Sequence, residues 1–181
     1  MNYLESIMQL NNIVNEEFIN RLIPFINHKA KHNLKVEGGL VKDIRNVKVY
    51  HLNFDNPSNM FYWNFIKNEI ERLYLFYKSK FPQMNSTKIN QIDLLKYNPG
   101  GNYKIHTDHY STVARHLSII INLNDDYEGG DLVFFDQKEK ETMKLKLGKG
   151  SIVFFPSNFM YPHSIQPITK GTRYSIVAWL Q

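Results

Sequence analysis

The sequence of 181 residues contains no cysteine. This absence excludes a disulfide framework and thiolate metal ligands, so histidine and carboxylate side chains are the donors left for a metal ion. A metal centre in this chain would therefore be built from nitrogen and oxygen atoms. A chain of this length is expected to form one domain whose core needs no covalent cross-link.

Long apolar runs and dense charge clusters are also missing. No window approaches the apolar length that spans a bilayer, and residues 1–10 lack the basic and then apolar order of a secretion signal. We therefore expect a cytoplasmic protein without membrane contact. The net charge of +5 comes from 22 basic and 17 acidic residues. They are dispersed along the chain, which is typical of a solvated surface and does not favour nucleic-acid binding.

Two helices are expected in the first part of the chain. Asn15 can cap a helix whose first turn is acidic, and apolar residues at helical spacing extend the predicted helix over 15–31. A second helix is predicted from Ser58, with apolar residues three and four positions apart until Phe81 and Pro82 end it. The apolar faces of both helices are expected to pack against a sheet.

The pattern changes after residue 87, where short β-rich runs are separated by Gly, Pro, Asn and Asp. Strands are predicted at 88–97, 103–108, 116–123, 131–136, 142–147, 151–155, 163–167 and 173–180. This spacing favours a double-sheet jelly roll. The expected class is α+β, mainly β: a double-stranded β-helix with amino-terminal helices packed on one sheet. Residues 1–87 would be a helical support region and 88–181 the jelly-roll core of a single domain, 1–181.

One triplet indicates metal chemistry. Side chains alternate along a strand, so His106 and Asp108 point the same way and can hold one ion together. His163 follows, and we expect it to arrive from a distant strand across the barrel mouth. Two imidazoles and one carboxylate form the facial triad that suits Fe(II) and leaves positions open for an organic ligand and O2. His109 is interpreted as a rim residue, and four other histidines as structural or surface residues: His28, His32, His51 and His116.

Together these features resemble the Fe(II)/2-oxoglutarate-dependent dioxygenases, and among them the prolyl 4-hydroxylase type. Besides the triplet, the resemblance is carried by YNPGGNY at 97–103, LSIIINLN at 117–124, YEGGDL at 127–132, GKGSIVFFP at 148–156 and GTRYSIVAW at 171–179. It covers residues 88–181 well and the first 87 loosely. It implies that the metal is Fe(II), that 2-oxoglutarate and O2 are co-substrates, and that ascorbate is an optional reductant.

The resemblance also implies roles for single residues. Arg173 would bind the distal carboxylate of 2-oxoglutarate, because a guanidinium stays charged when buried and matches a carboxylate with two parallel hydrogen bonds. Spacing suggests that Arg173 lies about one strand from His163, back in the same layer, and strand alternation puts it on one face with Trp179. Tyr97 would give a further hydroxyl to the co-substrate. The tyrosine that the family often has near Asn122, which would bear on carboxylate binding, is missing. Substrate contacts are implied for Tyr103, Arg115 and Trp179, with packing at the rim as the alternative for Tyr103 and Trp179.

The implied reaction is hydroxylation of a peptidyl proline with release of succinate and CO2, so a protein or peptide partner is expected. The triad and Arg173 do not select the substrate. Another protein side chain, a free amino acid or, more distantly, a nucleic acid therefore stays an alternative target. A jelly-roll module that binds a partner without catalysis is the alternative from another class, but it would not need both histidines, the acid and the arginine.

Overall fold

The computed structural model describes residues 3–31, 44–86, 88–110 and 112–181. His32 lies outside these residues. The first elements are a short 3-10 helix (Tyr3–Ser6), β1 (Met8–Leu10), α1 (Glu16–Lys29), β2 (Arg45–Asn46), β3 (Lys48–His51) and α2 (Pro57–Lys80). They are followed by β4 (Ile89–Tyr97), β5 (Asn102–His106), β6 (Leu117–Asn122), β7 (Glu128–Gly129), β8 (Leu132–Phe135), β9 (Glu141–Leu145), β10 (Ile152–Pro156), β11 (His163–Ile165), β12 (Ile168–Lys170) and β13 (Arg173–Leu180).

Both predicted helices form, and each begins at an asparagine cap. The Oδ1 atom of Asn15 accepts hydrogen bonds from the backbone N–H groups of Glu17 and Phe18, at 2.8 and 3.2 Å. The side chain of Asn56 accepts one from the backbone of Asn59 at 3.0 Å, and a proline at the first helical position of α2 costs no hydrogen bond there. These contacts satisfy amide groups that have no partner within the helix.

The strands form two antiparallel sheets that face each other, as the jelly roll requires. The order is β1-β10-β6-β13-β4-β3 in the six-stranded sheet and β2-β5-β11-β8-β9 in the five-stranded sheet, with β12 and β7 paired separately. Each of the eight predicted strands is present. The predicted fold class is confirmed, although the prediction missed five short strands: β1, β2, β3, β7 and β12.

The six-stranded sheet is buried on both faces, and β4 shows why. Ile92 and Leu94 point outward into an apolar cluster with Leu22 and Ile26 of α1 and with residues of α2. Leu95 and Tyr97, on the opposite face, pack between the sheets with Phe134, Phe155 and Ile165. The odd-numbered side chains from Gln91 to Tyr97 therefore face the space between the sheets, and the helices cover the other side.

Gly129 permits the close pairing of β7 with β12. Its φ is +78°, and a Cβ atom there would lie against the carbonyl oxygen of Pro167. Gly100 has a similar φ of +80° with nothing within 4 Å of such an atom. A comparison of the two positions therefore separates the energetic cost of the positive φ from the cost of the steric contact.

We predict that Gly129→Ala lowers the free energy of unfolding by about 1 to 3 kcal/mol more than Gly100→Ala does, because only the first substitution overpacks a contact. Both pay the conformational cost of positive φ. Urea denaturation of the two variants measures the difference. Equal losses would show that β12 moves away from Gly129 without cost.

Candidate metal centre and co-substrate pocket

Two paired strands bring the candidate metal ligands together. His106 ends β5 and His163 begins β11, and the two residues are register partners across the ladder. Asp108 lies just after the end of β5, with its Oδ1 atom 3.4 Å from Nε2 of His106 and its Oδ2 atom 3.6 Å from Nε2 of His163. The three ligand atoms lie within 4.8 Å of one another. This spacing lets them face a single ion.

The expectation that His163 comes from a distant strand is wrong. β11 is the immediate neighbour of β5 in the five-stranded sheet, so the two imidazoles approach from adjacent strands. The long separation between the histidines in sequence is taken up by strands that pair elsewhere. The number of residues between the two histidines therefore did not predict their separation in the sheet.

Backbone carbonyl groups orient both imidazoles. Nδ1 of His106 lies 2.8 Å from the carbonyl oxygen of Lys104, and Nδ1 of His163 lies 3.1 Å from that of Tyr161. A carbonyl only accepts, so each Nδ1 carries a proton, and Nε2 is the ring nitrogen that can face a metal ion beside Asp108. This is the tautomer that a metal ligand needs, and sequence reasoning could not identify these acceptors.

Hydroxyl groups hold the carboxylate. Ser118 Oγ donates to Oδ2 of Asp108 at 2.7 Å and lies 2.8 Å from Ser157 Oγ. Burial opposes ionisation of Asp108, but the His163 and His106 imidazoles and the Ser118 hydroxyl outweigh it and hold the pKa of this carboxyl well below its usual range. Asp108 is therefore an anion at neutral pH and a suitable ligand for a cation.

Burial, reinforced by repulsion from His106, lowers the pKa of His163 to about 4. The imidazole is therefore neutral at pH 7, and its lone pair is available for a metal. A neutral imidazole beside an anionic carboxylate leaves the cluster deficient in positive charge, which a divalent ion would supply. The donor set thus fits the Fe(II) that the sequence predicts.

The opposite sheet contributes a guanidinium. Arg173 begins β13, is 1% exposed and lies over the Tyr97 ring with its Cζ atom 5.4 Å from the ring centroid. Its Nε and Nη2 atoms have no hydrogen-bond partner, and none of the ion pairs in residues 3–31, 44–86, 88–110 and 112–181 includes it. A buried charge without a counter-ion is costly. The residues around it therefore fit a bound carboxylate.

The prediction that Arg173 returns to the layer of His163 is wrong. β11 belongs to the five-stranded sheet and β13 to the six-stranded sheet, so the imidazole and the guanidinium face each other across the core. Between them the chain leaves one sheet through β12, which pairs only with β7. The spacing in sequence indicates one intervening strand but not which sheet receives the next one.

One pocket between the sheets collects nearly all the predicted site residues. It is lined by Tyr97, Tyr103, His106, Asp108, His163, Arg173 and Trp179, together with Arg45 and apolar side chains. Arg115 adjoins it, with its Cζ atom 3.7 Å from the centroid of the Trp179 ring. Arg173 and Trp179 share one face of β13, as alternation predicts. Burial raises the pKa of Tyr97, so its hydroxyl keeps its proton and can donate a hydrogen bond.

His106, Tyr103 and Arg45 form a stack at the pocket wall. The Tyr103 ring stacks on the His106 imidazole at 3.5 Å between centroids, and the Arg45 guanidinium lies over the Tyr103 ring at 4.5 Å. Burial also raises the pKa of Tyr103 above its usual range. Sequence reasoning missed Arg45, which stands outside the motif-rich half of the chain in the two-residue strand β2.

The other histidines of the described residues, His28, His51, His109 and His116, are not part of the triad. His28 and His109 are exposed, with Nδ1 of His109 lying 3.1 Å from the carbonyl oxygen of Arg115. His116 lies 3.3 Å from Ser86 Oγ. His51 has an acid partner that its sequence neighbours did not reveal, because its Nδ1 lies 2.6 Å from Asp93 of the adjacent strand. Near Asn122, where the expected tyrosine is missing, the Tyr127 hydroxyl donates to Asn122 Oδ1 at 3.2 Å.

Comparisons with known proteins agree with this site. Residues 92–181, which include the three candidate ligands and Arg173, match the model of the 2OG-Fe(II) oxygenase superfamily. The chain is 36% identical over 98 residues to a PKHD-type hydroxylase of Prochlorococcus marinus, a match that covers 52% of this chain and 42% of that protein. It is 29% identical over 165 residues to a PKHD-type hydroxylase of Pseudomonas putida, covering 84% and 62%. The chain spans about half the length of several curated relatives it matches.

Solved structures show the same fold. A prolyl hydroxylase from Trichoplax adhaerens, in complex with a peptide fragment of hypoxia inducible factor, superposes with a TM-score of 0.81 at 18% identity, over 99% of this chain and 86% of that one. A prolyl-4-hydroxylase of Pseudomonas putida gives 0.74 at 18% identity, over 97% and 92%.

The chain belongs to the 2OG-Fe(II) oxygenase superfamily. Membership implies Fe(II) and 2-oxoglutarate as its cofactor and co-substrate, which the donor set and the buried guanidinium fit. Neither helix of the described residues is long and apolar enough to cross a lipid bilayer.

We predict that Ser118→Ala weakens binding of Mn(II), as a probe for the triad, by about 10- to 100-fold, because residues that hold metal ligands typically contribute that much. Anaerobic titration followed by isothermal calorimetry measures the affinity. Ser151→Ala is the matched control, since Ser151 is also buried but its hydroxyl bonds to Asn11. Equal affinities of the two variants would show that Ser118 does not hold the ligand.

Proposed function

We propose that this protein is an Fe(II)- and 2-oxoglutarate-dependent hydroxylase that acts on a proline of a protein or peptide. The observation that carries the proposal is the buried Arg173 guanidinium, without an ionic partner among the described residues, in the pocket that holds His106, Asp108 and His163. A module that only binds a partner does not require a buried, unpaired positive charge beside three candidate metal ligands. The superfamily membership and the hydroxylase names of its relatives support the same function.

Each residue of the pocket has a task in this proposal. His106, Asp108 and His163 hold the metal, and Ser118 fixes the Asp108 carboxylate. Arg173 binds the distal carboxylate of 2-oxoglutarate, and the Tyr97 hydroxyl donates to the same co-substrate. The bound iron and 2-oxoglutarate supply O2-dependent oxidation, with succinate and CO2 released and ascorbate as an optional reductant. The apolar walls between the sheets exclude water from the site.

The substrate side of the pocket is aromatic and cationic. Tyr103 and Trp179 line the pocket with aromatic rings, beside which a pyrrolidine can bind, and Arg115 next to Trp179 can donate to carbonyl oxygen atoms of a peptide. The solved neighbours named as prolyl hydroxylases, one of them bound to a peptide, support a peptidyl proline. We propose residues 1–181 as one catalytic domain. The absence of cysteine fits a reducing compartment such as the cytoplasm.

We predict that Arg173→Ala weakens 2-oxoglutarate binding about 30-fold or more, because removal of one partner of a buried charge pair costs about 2 to 5 kcal/mol. Anaerobic titration with Fe(II), followed through the visible metal-to-ligand band, separates binding from turnover. Lys170→Ala is the control, since it removes a cation that is paired with Glu128 at the surface. A loss of less than about fivefold, typical of a surface ion pair, would remove the reason for choosing this co-substrate.

We predict that a proline-containing peptide stimulates conversion of 2-oxoglutarate to succinate and gains one oxygen atom on its proline. Asp108→Ala should abolish both, because the metal loses its anionic ligand, while circular dichroism reports an unchanged fold. Mass spectrometry of a library of proline-rich peptides locates the added oxygen. Oxygen on another side chain would assign the enzyme to the alternative substrate class, and full succinate production by Asp108→Ala would contradict the site.

A further inference from the structure

A chain of polar contacts connects the pocket edge to the border of the six-stranded sheet. Arg115 donates through Nη1 to the backbone carbonyl of Asp108 at 3.3 Å and through Nη2 to Oε1 of Gln91 at 3.0 Å. Gln91 in turn donates through Nε2 to both carboxylate oxygens of Asp93, at 3.0 and 3.1 Å. The chain ends at His51, 2.6 Å from Asp93. Only Asp108, through its backbone, belongs to the metal centre.

Strand register places these side chains on one face. Gln91 and Asp93 alternate with Ile92 on β4, so both point into the space between the sheets. Gln91 is the register partner of Trp179 on β13, and Asp93 is the partner of His51 on β3. The Arg115 guanidinium, which lies over the Trp179 ring, is therefore beside Gln91.

Four contacts hold the Arg115 guanidinium. Its Cζ atom lies over the Trp179 ring at 3.7 Å and near the Tyr110 ring at 5.7 Å, and it donates to the Asp108 carbonyl and the Gln91 amide. Its Nε atom is buried without a hydrogen-bond partner. The guanidinium thus donates to neutral acceptors, and one of its donors is unpaired.

The amide of Gln91 lies between the Asp93 carboxyl group and the Arg115 guanidinium. Asp93 is 1% exposed and lies 2.6 Å from Nδ1 of His51, whose pKa the hydrogen bond to Asp93 raises. A carboxylate at position 91 would pair directly with Arg115 and neutralise it. Glutamine accepts a hydrogen bond from Arg115 and donates to Asp93. It therefore links Arg115 to the buried Asp93 side chain without placing a carboxylate beside the guanidinium.

We propose that Gln91, anchored by Asp93, is a positioning residue that holds Arg115 over Trp179 and keeps its charge available for a carbonyl oxygen of the peptide substrate. The substrate role of Arg115 rests on the function proposed above, whereas the placement of Arg115 by Gln91 does not. Gln91 acts through Arg115 and does not contact the metal or 2-oxoglutarate. Its loss should therefore affect substrate binding more than the chemical step.

Fluorescence of Trp179 tests the placement without any substrate. The chain has two tryptophans, so Trp63→Phe leaves Trp179 as the sole emitter. In this background we expect Gln91→Leu to increase quenching of Trp179 by acrylamide toward the level of Arg115→Ala, because the guanidinium no longer shields the ring. Asp93→Asn should give a smaller increase, since an asparagine oxygen still accepts from Gln91. Quenching in Gln91→Leu that equals the parent would overturn the proposal.

Steady-state kinetics test the consequence, with a proline-containing peptide that the library screen shows to be hydroxylated. Gln91→Leu should raise the KM for peptide about 10-fold, the usual effect of losing a hydrogen bond to a charged group, with kcat and the affinity for 2-oxoglutarate changed less than about twofold. Lys96→Met is the matched control, because it removes one hydrogen bond, to Asn27, from the other face of β4. Its KM should equal that of the parent.

The outcomes separate the two proposals. If no peptide is turned over by the parent protein, the proposed function fails, and the quenching result still decides whether Gln91 positions Arg115. A fall in kcat with unchanged KM in Gln91→Leu would overturn the positioning role. Equal increases in KM for Gln91→Leu and Lys96→Met would overturn it as well, since the effect would then come from general loosening of β4.

Discussion

The register between β5 and β11 is the constraint on which the site depends. It places His106 opposite His163, so two imidazoles meet on the inner face of the five-stranded sheet. A shift of one residue would turn one of them to the outer face, because side chains alternate along a strand. The position of Asp108, two residues beyond His106, follows from the same register. Neighbouring pairs between β11 and β8 lock it, with His163 opposite Phe134 and Ile165 opposite Leu132.

The two sheets contribute different residues to the pocket. The five-stranded sheet carries the candidate metal ligands, and the six-stranded sheet carries Arg173, Tyr97 and Trp179. A ligand that contacts both the metal and Arg173 must therefore bridge two layers, whose separation in packed sheets is about 10 Å. Apolar side chains such as Phe134 and Phe155 set this separation. Packing of the core thus determines the length of the anion that can span the pocket.

Much of this could be predicted because it depends on local patterns. Strand alternation and glycine-rich turns give eight strands of the jelly roll, and His-x-Asp spacing gives two residues of the candidate triad. What failed depends on pairing between distant segments: the adjacency of β5 and β11, the placement of β13 in the opposite sheet, and the contact of His51 with Asp93. The two residues of β2 carry too little periodicity to be recognised, and Arg45 was missed with them. The four-residue strand β3 was also missed.

The hydrogen bonds that orient the ligands differ in how they can tolerate sequence change. Each imidazole is oriented by the backbone carbonyl of the residue two positions before it, at Lys104 and Tyr161. Any residue supplies that carbonyl, so the orientation of the imidazoles does not depend on the side chains at these two positions. Asp108 depends instead on the side chains of Ser118 and Ser157. Substitutions of neighbouring side chains are therefore expected to disturb the carboxylate ligand, through its serines, before they disturb either histidine.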